Sequence, residues 1–259
     1  MYFAINRMTV LRLSYLILVL MLSGCGGAES GDSSSPANND GKGGSMSRFT
    51  LVGDYLYAIS GRKMHLFNLA DSPATPTVFA NIDINWNIET LYSANNYLFI
   101  GAQDGVYIFN NDDPSAPYQV SKFLHVAACD PVVAHGQYAY VTLHSRGSRC
   151  GQGVDRLDVL DLADITNPKL VKSYPMQSPK GLGVGGGMLY VCDDAAGLKS
   201  YDLTEPAAPQ FVHADTNLNC YDLIPDNNKL VVSDNEGIVQ LDTTIAQLGT
   251  LSRISLETP

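Results

Sequence analysis

Five times after residue 47 the chain repeats one short text, and a repeat of this kind leaves few folds open. The copies are Gly53-Asp-Tyr-Leu-Tyr-Ala-Ile, Asn95-Asn-Tyr-Leu-Phe-Ile, Gly136-Gln-Tyr-Ala-Tyr-Val, Gly186-Gly-Met-Leu-Tyr-Val and Asn227-Asn-Lys-Leu-Val-Val. Taken at Tyr55, Tyr97, Tyr138, Met188 and Lys229, they are spaced by 42, 41, 50 and 41 residues, so the third unit carries an insertion. A second strand text follows in each copy: Met64-His-Leu-Phe-Asn-Leu, Val106-Tyr-Ile-Phe-Asn-Asn, Leu157-Asp-Val-Leu-Asp-Leu, Leu198-Lys-Ser-Tyr-Asp-Leu and Ile238-Val-Gln-Leu-Asp-Thr. Four of these run into proline turns, at Asp71–Pro76, Asp113–Pro117, Asp164–Pro168 and Glu205–Pro209. Asp, Asn and Pro preset turn dihedrals, while β-branched and aromatic residues suit a pleated, half-buried surface.

Each unit therefore reads as four strands, A to D, in the first unit over 48–53, 55–60, 63–69 and 76–84. Four strands per 40–45 residues is the period of a β-propeller blade, and radial packing protects short strand edges. The expected fold is all-β: a five-bladed β-propeller of four-stranded antiparallel blades, with repeats at 48–88, 89–128, 129–178, 179–219 and 220–256. A β-sandwich or a solenoid built from the same strands is the competing architecture. Nothing in the sequence shows one blade sharing strands from both ends of the chain.

The text Leu157-Asp-Val-Leu-Asp161, with the Asp/Asn-Pro turn after it, resembles the LVIVD repeat family of bacterial and archaeal surface proteins over residues 48–256. The resemblance implies a propeller-like architecture and a surface habit, and no reaction. Blades four and five depart from it, with Ser200-Tyr-Asp and Val239-Gln-Leu-Asp in place of an apolar core, and the fifth lacks the proline turn.

Ahead of the repeats, Arg7 and Arg12 precede the apolar run Leu13–Leu22 and the small residues Ser23-Gly24. A bilayer span takes about 20 apolar residues, so residues 1–24 read as a signal peptide and not as a permanent anchor. Leu22-Ser-Gly-Cys25 resembles the lipobox of bacterial lipoproteins, which implies cleavage before Cys25 and its acylation, palmitate among the chains. Gly26 stands where lipoproteins kept at the inner membrane usually carry Asp, so the resemblance implies the outer membrane of a Gram-negative cell. Residues 25–47 hold the cysteine and a Gly/Ser-rich stretch that reads as a flexible tether.

Twenty-six acids against 16 bases give a net charge of −10, the wrong sign for a nucleic-acid binder. An exported chain meets an oxidising compartment, so Cys129, Cys150, Cys192 and Cys220 read as disulfides before metal ligands. Three pairings exist; Cys129 and Cys220 stand just ahead of strand A, Cys192 ends a strand B and Cys150 lies in the inserted loop 145–154. Since the start of A and the end of B share one face of a blade, Cys129 with Cys150 and Cys192 with Cys220 are favoured. The sequence has no P-loop, GxSxG, HExxH or EF-hand loop, and no metal or cofactor is expected. Gly181-Leu-Gly-Val-Gly-Gly-Gly187 has no following helix and reads as an inner strand with its turn.

Counting eight residues back from each repeat reference reaches Ser47, Glu89, Asp130, Lys180 and Tyr221. These should ring one mouth of the central channel, and unlike side chains at equivalent positions are what a ligand site produces. Arg146 and Arg149 of the insertion are placed near the same mouth, and Trp86 is the single tryptophan. The leading expectation is a non-catalytic envelope binding or scaffold protein for a protein or glycan partner. The alternative is a glycan-active hydrolase using Glu89 and Asp130, which needs carboxyls held roughly 5–9.5 Å apart.

Overall fold

A computed structural model describes residues 43–70, 73–84, 87–125, 131–145, 155–244 and 247–256. Its strands fall into five four-stranded antiparallel sheets, each built from one contiguous stretch of chain. Blade one holds β1 (Phe49–Val52), β2 (Tyr55–Ser60), β3 (Lys63–Asn68) and β4 (Val78–Asp83). Blade two holds β5 (Ile88–Ala94), β6 (Tyr97–Ala102), β7 (Gly105–Asn110) and β8 (Tyr118–Leu124). Blade three holds β9 (Val132–His135), β10 (Tyr138–Leu143), β11 (Arg156–Asp161) and β12 (Lys169–Pro175). Blade four holds β13 (Leu182–Gly185), β14 (Met188–Cys192), β15 (Leu198–Asp202) and β16 (Gln210–Asp215), and blade five β17 (Cys220–Asp226), β18 (Lys229–Asp234), β19 (Gly237–Asp242) and β20 (Gly249–Ser255). The fold is the five-bladed β-propeller that the repeat predicts.

Local chemistry explains the recurrence. The residue that opens each A–B turn has positive φ in every blade: Gly53 at 56°, Asn95 at 50°, Gly136 at 59°, Gly186 at 60° and Asn227 at 52°. Gly and Asn tolerate that conformation, which is why the repeat begins with one or the other. The pairing of the third and fourth strands slips by one residue at the same place in all five blades, at Leu66/Phe67, Ile108/Phe109, Val159/Leu160, Ser200/Tyr201 and Gln240/Leu241. A bulge there strengthens the twist that radial packing needs.

Neighbouring blades meet through four apolar clusters. Tyr57, Met64 and Leu66 of blade one pack on Leu91, Leu98 and Ile100 of blade two. Phe99 and Ile108 turn the other way, onto Val132 and Val141 of blade three. Tyr140 and Val159 meet Leu189 and Val191 of blade four, and Tyr190 and Leu198 meet Leu230 and Val232 of blade five. Middle blades thus bury both faces, and β7 is buried along its whole length, so their strands read as apolar runs instead of alternating. Tyrosine hydroxyls add directional ties: Tyr57 donates to Pro114 O (2.7 Å) and Tyr140 to Pro206 O (3.0 Å), in the C–D turn of the following blade. The proline turns of the repeat are therefore docking points for the blade before.

Blades five and one are joined differently. Residues 43–47, which composition groups with the tether, are packed against the propeller, and Ser45 is buried. The Ser45 hydroxyl donates to Asp222 Oδ1 (3.2 Å) and the Met46 amide to Oδ2 (3.3 Å), while the Leu182 amide donates to Ser45 Oγ (2.8 Å). A Cβ on Gly44 or on Gly181 would lie 2.1 Å from an Asp222 carboxylate oxygen. One on Gly183 would lie 2.6 Å from Leu223 Cδ1, so the glycine-rich run of β13 is there to let β17 and its carboxylate come close. Beside this junction lies an apolar cavity of about 510 Å³ lined by Met46, Phe49, Leu51 and Ile224 as well as Asp222.

Candidate functional site

The five inner strands all begin at one end of the channel, and the site is built there. Ser47 stands just ahead of β1, and its carbonyl accepts the Leu91 amide of β5 (2.8 Å). Glu89 is the second residue of β5, and its Oε1 accepts from Gln103 Nε2 (3.3 Å). Lys180 and Tyr221, from blades four and five, come together: the Lys180 ammonium sits 4.1 Å from the Tyr221 ring centroid and 3.2 Å from Asp194 Oδ1. Glu89 and Ser47 thus mark one side of the mouth, and Lys180 and Tyr221 another. Cys25, Trp86, Cys129, Asp130, Arg146, Arg149 and Cys150 lie outside the described residues, so the Glu89–Asp130 separation has no value.

Against Glu89 the mouth deepens into a cavity of about 460 Å³, within the range of ligand sites. Met46, Ile88 and Pro131 give it apolar walls, and Arg48, Asn87 and Gln103 join Glu89 as its polar groups. The Asn87 side-chain amide donates to Gln103 Oε1 (3.4 Å), so Asn87, Gln103 and Glu89 form one hydrogen-bonded row. Periodicity does not reveal Asn87, Arg48 or Gln103. They sit in turns or beside strand ends, at repeat positions whose occupants are mixed, Thr90 and Asp222 matching Arg48, and Gly61 and His144 matching Gln103, so no pattern in the sequence marks them.

A second polar group lies between blades three and four. Ser178 Oγ is 3.3 Å from His144 Nδ1, and Asp155 Oδ1 is 3.7 Å from that same nitrogen. A nucleophilic relay needs the serine on one ring nitrogen and the carboxylate on the other, so this Ser/His/Asp set lacks the required arrangement. Asp155 is instead held by the Ser145 amide (2.8 Å) and hydroxyl (2.9 Å). Nearby, fully buried Asp193 accepts the Gln177 and Ser178 amides (2.9 and 2.8 Å) and pairs with Lys199. Such a buried, saturated carboxylate braces the loop ahead of β13.

Cys192, ending β14, is disulfide-bonded to Cys220, opening β17. Among the described residues no cluster of His, Cys, Asp and Glu could hold a metal ion.

Asp222, one residue past the ring position Tyr221, is the titrating group of the junction. Burial pushes its carboxyl up from 3.8 to about 6, against the lowering pull of the Leu223, Met46 and Ser45 donors. The folded state therefore holds its proton more tightly than the unfolded chain, and this contribution to stability is present at low pH and lost as pH rises through 6. Asp222→Asn should remove it. Relative to the variant, the native protein gains about 1 kcal/mol between pH 7 and pH 5 and about 2 kcal/mol by pH 4. Denaturant melts across that range check this, and parallel curves for the two proteins would refute it.

The fold and the mouth together define a β-propeller with a polar cavity where its inner strands begin. The comparisons with known proteins agree on the fold. A putative 6-phosphogluconolactonase from Bacteroides fragilis NCTC 9343 superposes with a TM-score of 0.63 at 13% identity, over 82% of this chain and 70% of that one. A functionally unknown protein from Desulfotomaculum acetoxidans DSM 771 does so with a TM-score of 0.58 at 13% identity, over 78% and 68%. The computationally designed Ika8 protein gives 0.57 at 12% identity, over 80% of this chain and 63% of that one. The chain thus spans 63–70% of the length of these structures, and at such identities the likeness is one of fold. No family model and no curated protein matches the sequence.

Proposed function

We propose that this chain is a cell-envelope lipoprotein whose propeller is a non-catalytic binding or scaffold module, engaging a glycan or protein at the channel mouth. The observation that carries the reading is the cavity of about 460 Å³ at the mouth, where Glu89 falls among Arg48, Asn87 and Gln103. Rigid inner strands hold these groups while turns supply their variety, which is how propeller-like scaffolds carry binding sites. The lipobox-like Leu22-Ser-Gly-Cys25 supports acylation at Cys25 and residence at the outer membrane, and the LVIVD-like repeats support a surface habit. The geometry of the Ser178–His144–Asp155 group, with both contacts on one nitrogen, weighs against an acyl-transfer hydrolase there.

The test is cross-linking in intact cells, with the native protein beside a Glu89→Gln, Asp130→Ala, Lys180→Ala form and a Cys25→Ser form. The Cys25→Ser protein should leave the membrane fraction. One envelope component should be recovered with the native protein and at least tenfold less with the mouth variant. Equal recovery from both would remove the mouth from the function. Glycan turnover that disappears in Glu89→Gln alone would replace binding with hydrolysis.

A further inference from the structure

We infer that the mouth cavity receives an acidic saccharide, a uronic-acid unit, with the Arg48 guanidinium reading its carboxylate. The inference rests on the mouth being a binding face, and it names what is bound.

Acids outnumber bases 26 to 16 in this chain, and four of the described cations take acid partners. Arg156 pairs with Asp158, Lys180 with Asp194, Lys199 with Asp193, and Arg253 with Asp234 and Glu236. Arg48 lines the cavity and takes no acid or other acceptor among the described residues, although Glu89 lines the same space. A guanidinium presents a planar fork of donors that fits a carboxylate in two parallel hydrogen bonds, and Arg48, an exposed residue, is part of the wall of an open cavity.

The remaining lining suits the rest of a sugar acid. Asn87 donates to Gln103 and Gln103 to Glu89, so the row lines the cavity with amide and carboxylate groups of the kind that bind ring hydroxyls. Met46, Ile88 and Pro131 offer apolar surface for the C–H face of a pyranose. A neutral sugar satisfies the Glu89 end and leaves Arg48 unused. An acidic peptide satisfies Arg48 and sets another negative charge against Glu89 with no hydroxyl to donate. A uronic acid meets both ends at once.

The experiment uses the lipid-free propeller with its native N-terminal segment, trigalacturonate as the probe, galactotriose as its neutral counterpart and triglutamate as the acidic peptide, titrated calorimetrically at fixed salt. Trigalacturonate should bind at least tenfold more tightly than either competitor. Arg48→Ala should lose that preference by tenfold or more with an unchanged thermal melt, since its side chain holds nothing else in place. Arg48→Lys should keep part of it, and Gln103→Ala should weaken both saccharides together. Equal affinity for the acidic and neutral sugars, tighter binding of triglutamate, or indifference to Arg48→Ala would each overturn the inference. If mouth variants lose their partner in cells while trigalacturonate never binds, the acidic-sugar reading fails and the binding reading stands. If neither assay responds to the mouth, both fail.

Discussion

Gly237→Ala is expected to lower the melting temperature by roughly 10 °C or more. Gly237 opens β19 at φ 150°, and a Cβ built there would lie 2.0 Å from the carbonyl oxygen of Ile254 in β20. The obstacle is backbone, so no side-chain rotation relieves it, and the outer strand has to leave its register for the alanine to fit. Substitutions that force such a rearrangement belong to the costly tail, roughly 4 kcal/mol, and for a domain of this size each kcal/mol moves the midpoint by about 2–4 °C. Gly53→Ala is the control: its φ is also positive, at 56°, but nothing lies within 4 Å of the added atom. That variant should lose only about 1 kcal/mol, the backbone penalty alone. Equal losses at the two positions would mean that the close approach to Ile254 is not what the glycine serves. Differential scanning calorimetry of the two proteins separates the cases.

The second large effect concerns the bond between Cys192 and Cys220. Both residues are fully buried, they are 28 positions apart, and they tie the end of β14 in blade four to the start of β17 in blade five. In the chain-entropy view, closing a loop of that length stabilises the fold by about 3–4 kcal/mol. Protein refolded under reductant, or a Cys192→Ala, Cys220→Ala form, should melt roughly 8–12 °C lower than the oxidised protein. The double variant also deletes two sulfurs from the blade four–blade five cluster, so the reduced native protein is the cleaner comparison. Coincident melts of oxidised and reduced protein would show that the tie does not constrain the unfolded chain.

The order of blades is legible in the sequence because a propeller writes its geometry periodically. The Gly or Asn that opens each A–B turn recurs in every blade, and the aromatic second strand and the acid-to-proline turn recur in the first four, each with one mechanical role in the structure. The same phase leads to Glu89, Lys180 and Tyr221 at the channel mouth. What periodicity cannot reach is whatever occurs once. Arg48, Asn87 and Gln103 stand at repeat positions whose occupants follow no pattern, so their meeting at one cavity follows only from the fold. Asp222 is adjacent to a ring position but carries no signal of its own, because its partners Ser45 and Met46 come from a stretch that composition alone reads as a tether. The weak blade-five pattern has a cause too. Ile238 and Gln240 face the junction with blade one, where no apolar cluster forms among the described residues, so the strand has no reason to be apolar on that side.

That every blade is made of consecutive residues matters for how the protein comes into being. A propeller that shares one blade between its two ends cannot complete that blade until the last residue is available, and its early part waits with an unpaired edge. Here the first blade needs nothing from the last. Each sheet can form as its residues emerge, and each new one finds its mate already folded beside it, joined to it by an apolar cluster. For a chain that emerges from the ribosome N-terminus first, such order of assembly keeps the stretch of exposed strand edge to about one unit at a time. Among the described residues, the hydrogen bonds that Ser45 accepts from Leu182 and that Ser45 and Met46 donate to Asp222 must wait for the late blades, and they tie the first blade to the last two.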